Sequence, residues 1–182
     1  MDPHTDHAPA NRASWDELHA QMSALIENPA LQEQVQNTSE QIMLLNPQRQ
    51  IVYANTACVE MLGSKDPAEL YACRPGEALK CVHAGEGLGG CGTSINCQLC
   101  GGVNAVLNSL KGKVDVQQCT IEQEDSDTPL QLILFTMPIY VKDRQFVLVS
   151  MLDQSSSMTQ TSALAKHAFA VQNLAAAIEH AA

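Results

Sequence analysis

LLNPQRQIVYANTACVEMLG, residues Leu44–Gly63, contains two strand signals, a turn and a capped helix in one unbroken stretch. The apolar run Ile42-Met43-Leu44-Leu45 stops at Asn46-Pro47-Gln48-Arg49. That tetrapeptide is a turn signal, because proline presets its φ and asparagine bonds its own backbone. Gln50–Ala54 then returns as a second strand, closing a hairpin. Asn55 has the right chemistry to cap a helix over Thr56–Leu62, and Gly63 supplies a stop.

Working downstream, Asp66-Pro67-Ala68-Glu69 opens a short helix and Pro75–Leu79 another. Val103, Val106, Leu107 and Leu110 give one apolar face to a helix from Gly102 to Lys111. Three strands follow: Val114–Gln123, Leu130–Tyr140 and Gln145–Leu152. Pro138 within the second suggests an edge or a bulge. Upstream, Ser14 and Glu17 form a capping box, and Trp15, Leu18, Met22 and Leu25 recur at helical spacing. A further short helix fits Ala30–Gln36. Residues 1–13, with His4 and His7, read as a disordered tail, and Ser155–Thr161 as a polar linker. Leu164, Val171 and Ile178 repeat every seventh residue in a terminal helix, with Leu174 on the same seam and His167 beside it. Packing on the domain and a dimer seam formed with the Trp15–Leu25 helix are both open for this stripe. The divisions are a tail 1–13, a helical segment 14–38, a domain 39–154, and a linker with helix over 155–182.

Inside that domain lies RPGEALKCVHAGEGLGGCGTSINCQLCGG, spanning 74–102. Cys81, Cys91, Cys97 and Cys100 are spaced C-x9-C-x5-C-x2-C, with His83 close behind the first. Glycine at this density lets a loop fold tightly around a small object. A Cys-x-x-Cys-Gly turn points backbone N–H groups at thiolate sulfur, which suits iron–sulfur clusters and zinc alike. An iron–sulfur cluster held by the four cysteines is the expectation, with zinc as the alternative. His83 is open between metal ligand, donor to a ligand and cap of the preceding helix. Disulfides are a poorer reading, since the seven cysteines are an odd number and no secretory signal precedes them. Cys58 and Cys119 read as inert core thiols, Cys73 as an exposed one, and Glu77 and Glu86 as solvated charges.

The whole chain of 182 residues is 45% hydrophobic, enough for one core, but only 4% aromatic, so Leu, Ile, Val, Met and Ala must fill it. A net charge of −10 argues against nucleic acid and anionic membrane as partners. No apolar stretch is long enough to span a bilayer, so the expected location is the cytoplasm, where thiols stay reduced. No phosphate loop, Ser/His/Asp order or carboxylate pair stands out, and no enzymatic activity is expected.

The order of hairpin, short helices, longer helix and three strands, together with the words of Leu44–Gly63, resembles a PAS domain over about Glu40–Asp153. The segment RPGEAL…C-x-H-A…GCGT…C-x-x-C-G is similar to a cysteine-rich PAS subclass at the front of bacterial sensor histidine kinases. The resemblance implies an α+β fold: a five-stranded antiparallel sheet covered by short helices on one face, with flanking terminal helices. It also implies a sensory module in signal transduction, and the cysteine cluster adds the expectation that this module reports redox state or oxygen. Its partners would be a second copy of the chain and a signalling protein such as a histidine kinase or chemotaxis component. His167 is followed by Ala168 where those kinases place an acidic residue, and no ATP-binding domain is present, so autokinase activity is not expected. A structural zinc-stabilised dimerisation domain and a small electron-transfer or thiol-redox protein are the other readings.

Overall fold

Residues 5–154 and 160–180 are described by the computed structural model of the chain. The hairpin forms as its residues dictate. Strands β1 (Gln41–Leu45) and β2 (Ile51–Ala54) are joined through Asn46, whose carbonyl accepts from Arg49 N at 2.9 Å and whose Oδ1 accepts from Gln50 N at 2.8 Å. Arg49 takes a φ of 65°, the left-handed conformation that reverses the chain. Strands β3 (Asp115–Gln123), β4 (Ser126–Val141) and β5 (Arg144–Asp153) complete one sheet in the order β2-β1-β5-β4-β3. All neighbouring strands run antiparallel. β4 is an interior strand, not an edge. Pro138 nevertheless fits, because β3 pairs only as far as Thr136 and leaves the end of β4 without a neighbour on that side.

The helices are α1 (Trp15–Ile26), α2 (Thr56–Met61), α3 (Pro75–Ala78), α4 (Gly101–Leu110) and α5 (Gln160–His180). The expected capping box is present at α1: Glu17 N donates to Ser14 Oγ, and Ser14 N to the Glu17 carboxylate. Trp15 is 67% exposed, so the buried stripe of α1 runs through Leu18 and Leu25 without it. Leu31–Val35 forms a single π-helical turn. Asn55 does more than cap. Its Oδ1 accepts from Cys58 N and from Ile42 N, both at 3.0 Å, while its Nδ2 donates to the carbonyls of Val35 and Glu40. One buried side chain therefore ties β1, α2 and the segment entering β1.

Alternation along β5 sorts the two cores. Val147, Val149 and Met151 face one side with Met43, Leu45, Leu134 and the inner face of α4. Phe146 and Leu148 face the other with Leu18, Leu25, Val171 and Ile178. Period-two geometry makes this division automatic once the register is set. The terminal helices thus cover the sheet face opposite the short helices. This decides the seam question within the chain: Val171, Leu174 and Ile178 are buried against their own sheet, so the expected dimer contact is not available while α5 stays docked. The linker residues 155–159 and the tail residues 1–4 lie outside the described residues, as does His4.

Residues 5–13 correct the expectation of a disordered tail. Asp6 N and Ala8 N donate to the carbonyls of Thr93 and Gly92, Gln98 Nε2 donates to Asp6 O, and His7 meets Asn104 at 3.0 Å. The segment has little apolar content, and its backbone groups hold it together with Ala8, which is buried beside Cys97 and Val103. No helix of the described residues is long and apolar enough to cross a membrane.

His167 is buried on α5, its Nε2 2.8 Å from Ser150 Oγ on β5, its Nδ1 bonded to Glu40 and its ring 4.9 Å from that of Phe135. Burial pushes its pKa down and outweighs Glu40, which pushes it up. Protonation is therefore easier in the unfolded chain, and stability is lost as pH falls from about 6.5 through the lower folded value. Between pH 7 and pH 5 the thermal midpoint should fall further for the wild type than for His167→Gln, as followed by circular dichroism. A second outcome concerns Asn55. Asn55→Ala leaves several buried groups without partners and should cost about 3 kcal/mol in a urea titration.

Candidate functional site

The thiol-bearing segment is built from short turns between α3 and α4. Arg74 N donates to Glu77 Oε2 at 2.8 Å and starts α3. Cys81 follows α3 and forms a β-bridge with Gln123 at the end of β3, while Gln123 Nε2 donates to Leu79 O. Val82–Gly85 and Ile95–Leu99 are 3₁₀ turns, the second carrying Cys97 with its sulfur 3.3 Å from Ser94 Oγ. Cys100 N donates to Cys97 O at 3.2 Å, closing the Cys-x-x-Cys turn, and α4 begins at the next residue.

Close approach of backbone explains the glycine requirement at two positions. A Cβ on Gly76 would stand 2.6 Å from Cys91 Sγ, so α3 can pass under Cys91 only without a side chain there. A Cβ on Gly101 would stand 2.0 Å from the carbonyl oxygen of Gln118. The first turn of α4 is thereby pressed onto β3, which sets Cys100 beside Cys119 with their sulfurs 3.7 Å apart.

All four cysteines singled out from the sequence line one cavity of about 200 Å³, and Cys119 lines it too. Met43, Leu134, Val149 and Met151 form its floor on the sheet, and Val103 and Val106 of α4 form a wall. Main-chain N–H groups of His83 and Ala84 point at the Cys81 sulfur, that of Gly76 at Cys91, and those of Gly102 and Val103 at Cys100. Burial pushes the Cys91 thiol up to about 12 and raises Cys81 as well. The Cys100 thiol is pulled down, first by its hydrogen bond with Cys119 and then by the N–H groups of Val103 and Gly102, while Cys119 is pushed up by that same contact and by burial. Among the described residues no three of His, Cys, Asp and Glu converge closely enough to hold a metal ion. A single zinc ion, with sulfurs about 2.3 Å from the metal, needs them roughly 3.8 Å from one another. The thiols instead surround a space.

His83 sits at the cavity mouth with Nδ1 2.9 Å from Glu86 Oε1, and is turned toward that carboxylate instead of capping α3. Glu86 also accepts from Asn96, and Glu77 accepts from Arg12 and from Cys91 N at 3.2 Å, so neither is the merely solvated charge expected. Cys58 is the inert core thiol expected, fully buried and pushed up to about 12 by burial. Cys73 is half-buried.

The cavity wall is electropositive, which sequence reading missed. Arg49 and Arg74 both line it and are both buried, and Arg12 lies beside them. Three guanidinium groups thus face the one carboxylate of Glu77, in a chain of net charge −10. Burial, then the neighbouring Arg49 and Arg12, lower the Arg74 pKa to about 10. Arg74 is fully buried and donates to carbonyls of Gln48, Gly89, Cys91, Pro9, Ala10 and Asn11. It binds the tail, the hairpin turn and the thiol segment together.

The LOV protein of Rhodobacter sphaeroides superposes with a TM-score of 0.58 at 14% identity, over 91% of this chain and 83% of that one. A variant of it, RsLOV d2, gives 0.58 at 17% identity over the same shares. The fold is a PAS fold. A PAS domain from a two-component sensor histidine kinase superposes at 0.45 and 11% identity, over 76% of this chain and 99% of that one. No family model and no curated protein matches the sequence. At these identities the likeness speaks for the fold alone, which agrees with the α+β architecture expected.

The Gly101 contact is open to direct test. Gly101→Ala should destabilise the PAS fold by about 1–3 kcal/mol in urea, since a backbone atom must move. It should also speed labelling of Cys119 by a thiol reagent. Gly85→Ala, where a Cβ would meet nothing within 4 Å, should change neither.

Proposed function

We propose that this chain is a sensory PAS module whose Cys81, Cys91, Cys97 and Cys100 hold an iron–sulfur cluster in the cavity between sheet and helical cover. The observation that carries the reading is that these four thiols, carried on successive turns of one glycine-rich run, all line a single cavity. Backbone N–H groups aimed at the sulfurs and a buried arginine pair in the wall favour an anionic occupant. Such a cluster, when bound, supplies a redox centre that loses or gains one electron. What the protein contributes is a shell of thiols, main-chain donors and guanidinium groups that holds charge out of water. His83, on the mouth and bonded to Glu86, is placed to tune that charge and is not needed as a fifth ligand.

Reporting follows from the sheet. Val149 and Met151 line the cavity, while Ser150 between them bonds His167 of α5 on the opposite face. A displacement of β5 by the cavity contents acts on α5 directly, and a coupling of about 1–3 kcal/mol is enough to shift its docking. Undocked α5 would offer Val171 and Ile178 to a second copy or to a signalling protein such as a histidine kinase. On this reading the module works in the cytoplasm and carries no catalysis of its own.

Anaerobic purification with metal and sulfide analysis tests the site. The expected result is a brown protein with iron and sulfide, lost in Cys97→Ser/Cys100→Ser and retained in Cys58→Ser. A colourless protein with stoichiometric zinc would overturn the cluster. Hydrogen exchange on reduced and air-oxidised protein should then differ in 81–100 and in α5, with Ile42–Leu45 unchanged. Identical exchange in α5 would remove the sensory reading and leave any metal as a structural staple.

A further inference from the structure

The strongest unassigned feature is the fifth thiol of the cavity. Cys119 sits on β3, 4% exposed, with its sulfur 3.7 Å from that of Cys100. The juxtaposition is built, not incidental: Gly101 has no room for a side chain against Gln118, and a Cβ on Gly102 would lie 3.3 Å from Cys119 Sγ and 3.7 Å from Cys100 Sγ. A glycine pair thus brings the first turn of α4 to the strand at the one point where each carries a cysteine. The other thiols are differently engaged. Cys97 faces Ser94 Oγ, and Cys81 and Cys91 flank Gly76.

We propose that Cys100 and Cys119 form a reversible disulfide when a hydroperoxide reaches the cavity, so that the pair is a thiol switch across α4 and β3. Access is ordered. Cys100 is partly exposed and Cys119 is buried, so Cys100 is the thiol that the oxidant meets first. The Cys100 thiolate attacks the peroxide O–O bond, giving a sulfenic acid and releasing hydroxide or alkoxide. Cys119 then attacks the sulfenic sulfur from inside the cavity and expels its oxygen as water. For hydrogen peroxide the balance is two thiols and one peroxide giving one disulfide and two waters. The two electrons come from the sulfurs and the two protons end in water. Closing 3.7 Å to the about 2.05 Å of a disulfide needs rotation of two side chains on backbones already in contact. A thiol reductant reverses the step.

The bond would fasten α4 to β3 and withdraw Cys100 from any ligand set, so the switch is distinct from metal binding and does not depend on it. The test uses the full chain, stripped of metal by a chelator under anaerobic reducing conditions and desalted. It is exposed to equimolar hydrogen peroxide, alkylated and digested with trypsin without reduction. Lysines at 80, 111, 113 and 142 place Cys81, Cys91, Cys97 and Cys100 in the peptide 81–111 and Cys119 in 114–142. Most of Cys119 is expected in a cross-link between these two peptides, with fragmentation assigning Cys100 as the partner. Dithiothreitol should release it, and Cys119→Ser should lose it and leave Cys100 as the sulfenic acid. Cys119 recovered fully alkylated, or Cys100 joined to Cys97, would overturn the proposal. The wild-type map alone decides the point, so a poorly folding variant does not obscure it. A chain that binds no iron but forms the cross-link refutes the cluster and keeps the switch, and the converse result does the reverse.

Discussion

A single guanidinium, fully withdrawn from water and bonded only to main-chain oxygens, is the constraint on which the functional half of the molecule depends. Arg74 collects carbonyls from residues 9–11, from Gln48 in the hairpin turn and from Gly89 and Cys91. An arginine in this setting needs every donor occupied, because an unpaired buried N–H carrying charge is among the costliest defects a fold can contain. The requirement works in both directions. The carbonyls it gathers belong to segments with little apolar content, and they would otherwise face water in no fixed arrangement. Planar fork geometry suits this role better than an ammonium would, since five donors leave in fixed directions.

The other half rests on apolar packing and on one strand. β5 lies at the centre of the sheet, with even-numbered Phe146 and Leu148 on the terminal-helix side and odd-numbered Val147, Val149 and Met151 on the cavity side. Ser150 breaks the apolar pattern on the helix side by meeting His167 there. A strand with two buried faces leaves little freedom for one layer to move without the other, because interiors are close-packed. The sheet is therefore a shared partition between two cores.

What was legible in the sequence followed local rules. The Asn46 turn, the Asn55 cap, the capping box at Ser14 and the apolar face of α4 depend on neighbours within a few residues, and each stands where the pattern placed it. The gathering of Cys81, Cys91, Cys97 and Cys100 around one space was also legible, because thiols in a glycine-rich run have few other reasons to occur. The roles of Arg49, Arg74 and Cys119 were not. A buried arginine satisfied by carbonyls has no periodicity, and its partners at 9–11 were read as solvated for want of apolar side chains. Cys119 looked like any strand core residue until the Gly101 contact showed which helix end lay against it. The terminal helix carried a heptad stripe equally suited to its own sheet or to a second chain, and only the placement of α5 distinguished the two.

Withdrawal of Arg49 and Arg74 from solvent has a consequence for ionic strength. Mobile ions screen exposed charges over about 8 Å at physiological salt, but they cannot enter a packed wall. The surface pairs Lys80–Asp125 and Lys142–Glu27, both open to water, fade as salt rises. The field of the two buried guanidinium groups on the cavity persists. An acidic protein thus keeps a small positive interior whose pull on an anionic occupant is set by the fold and not by the salinity around it.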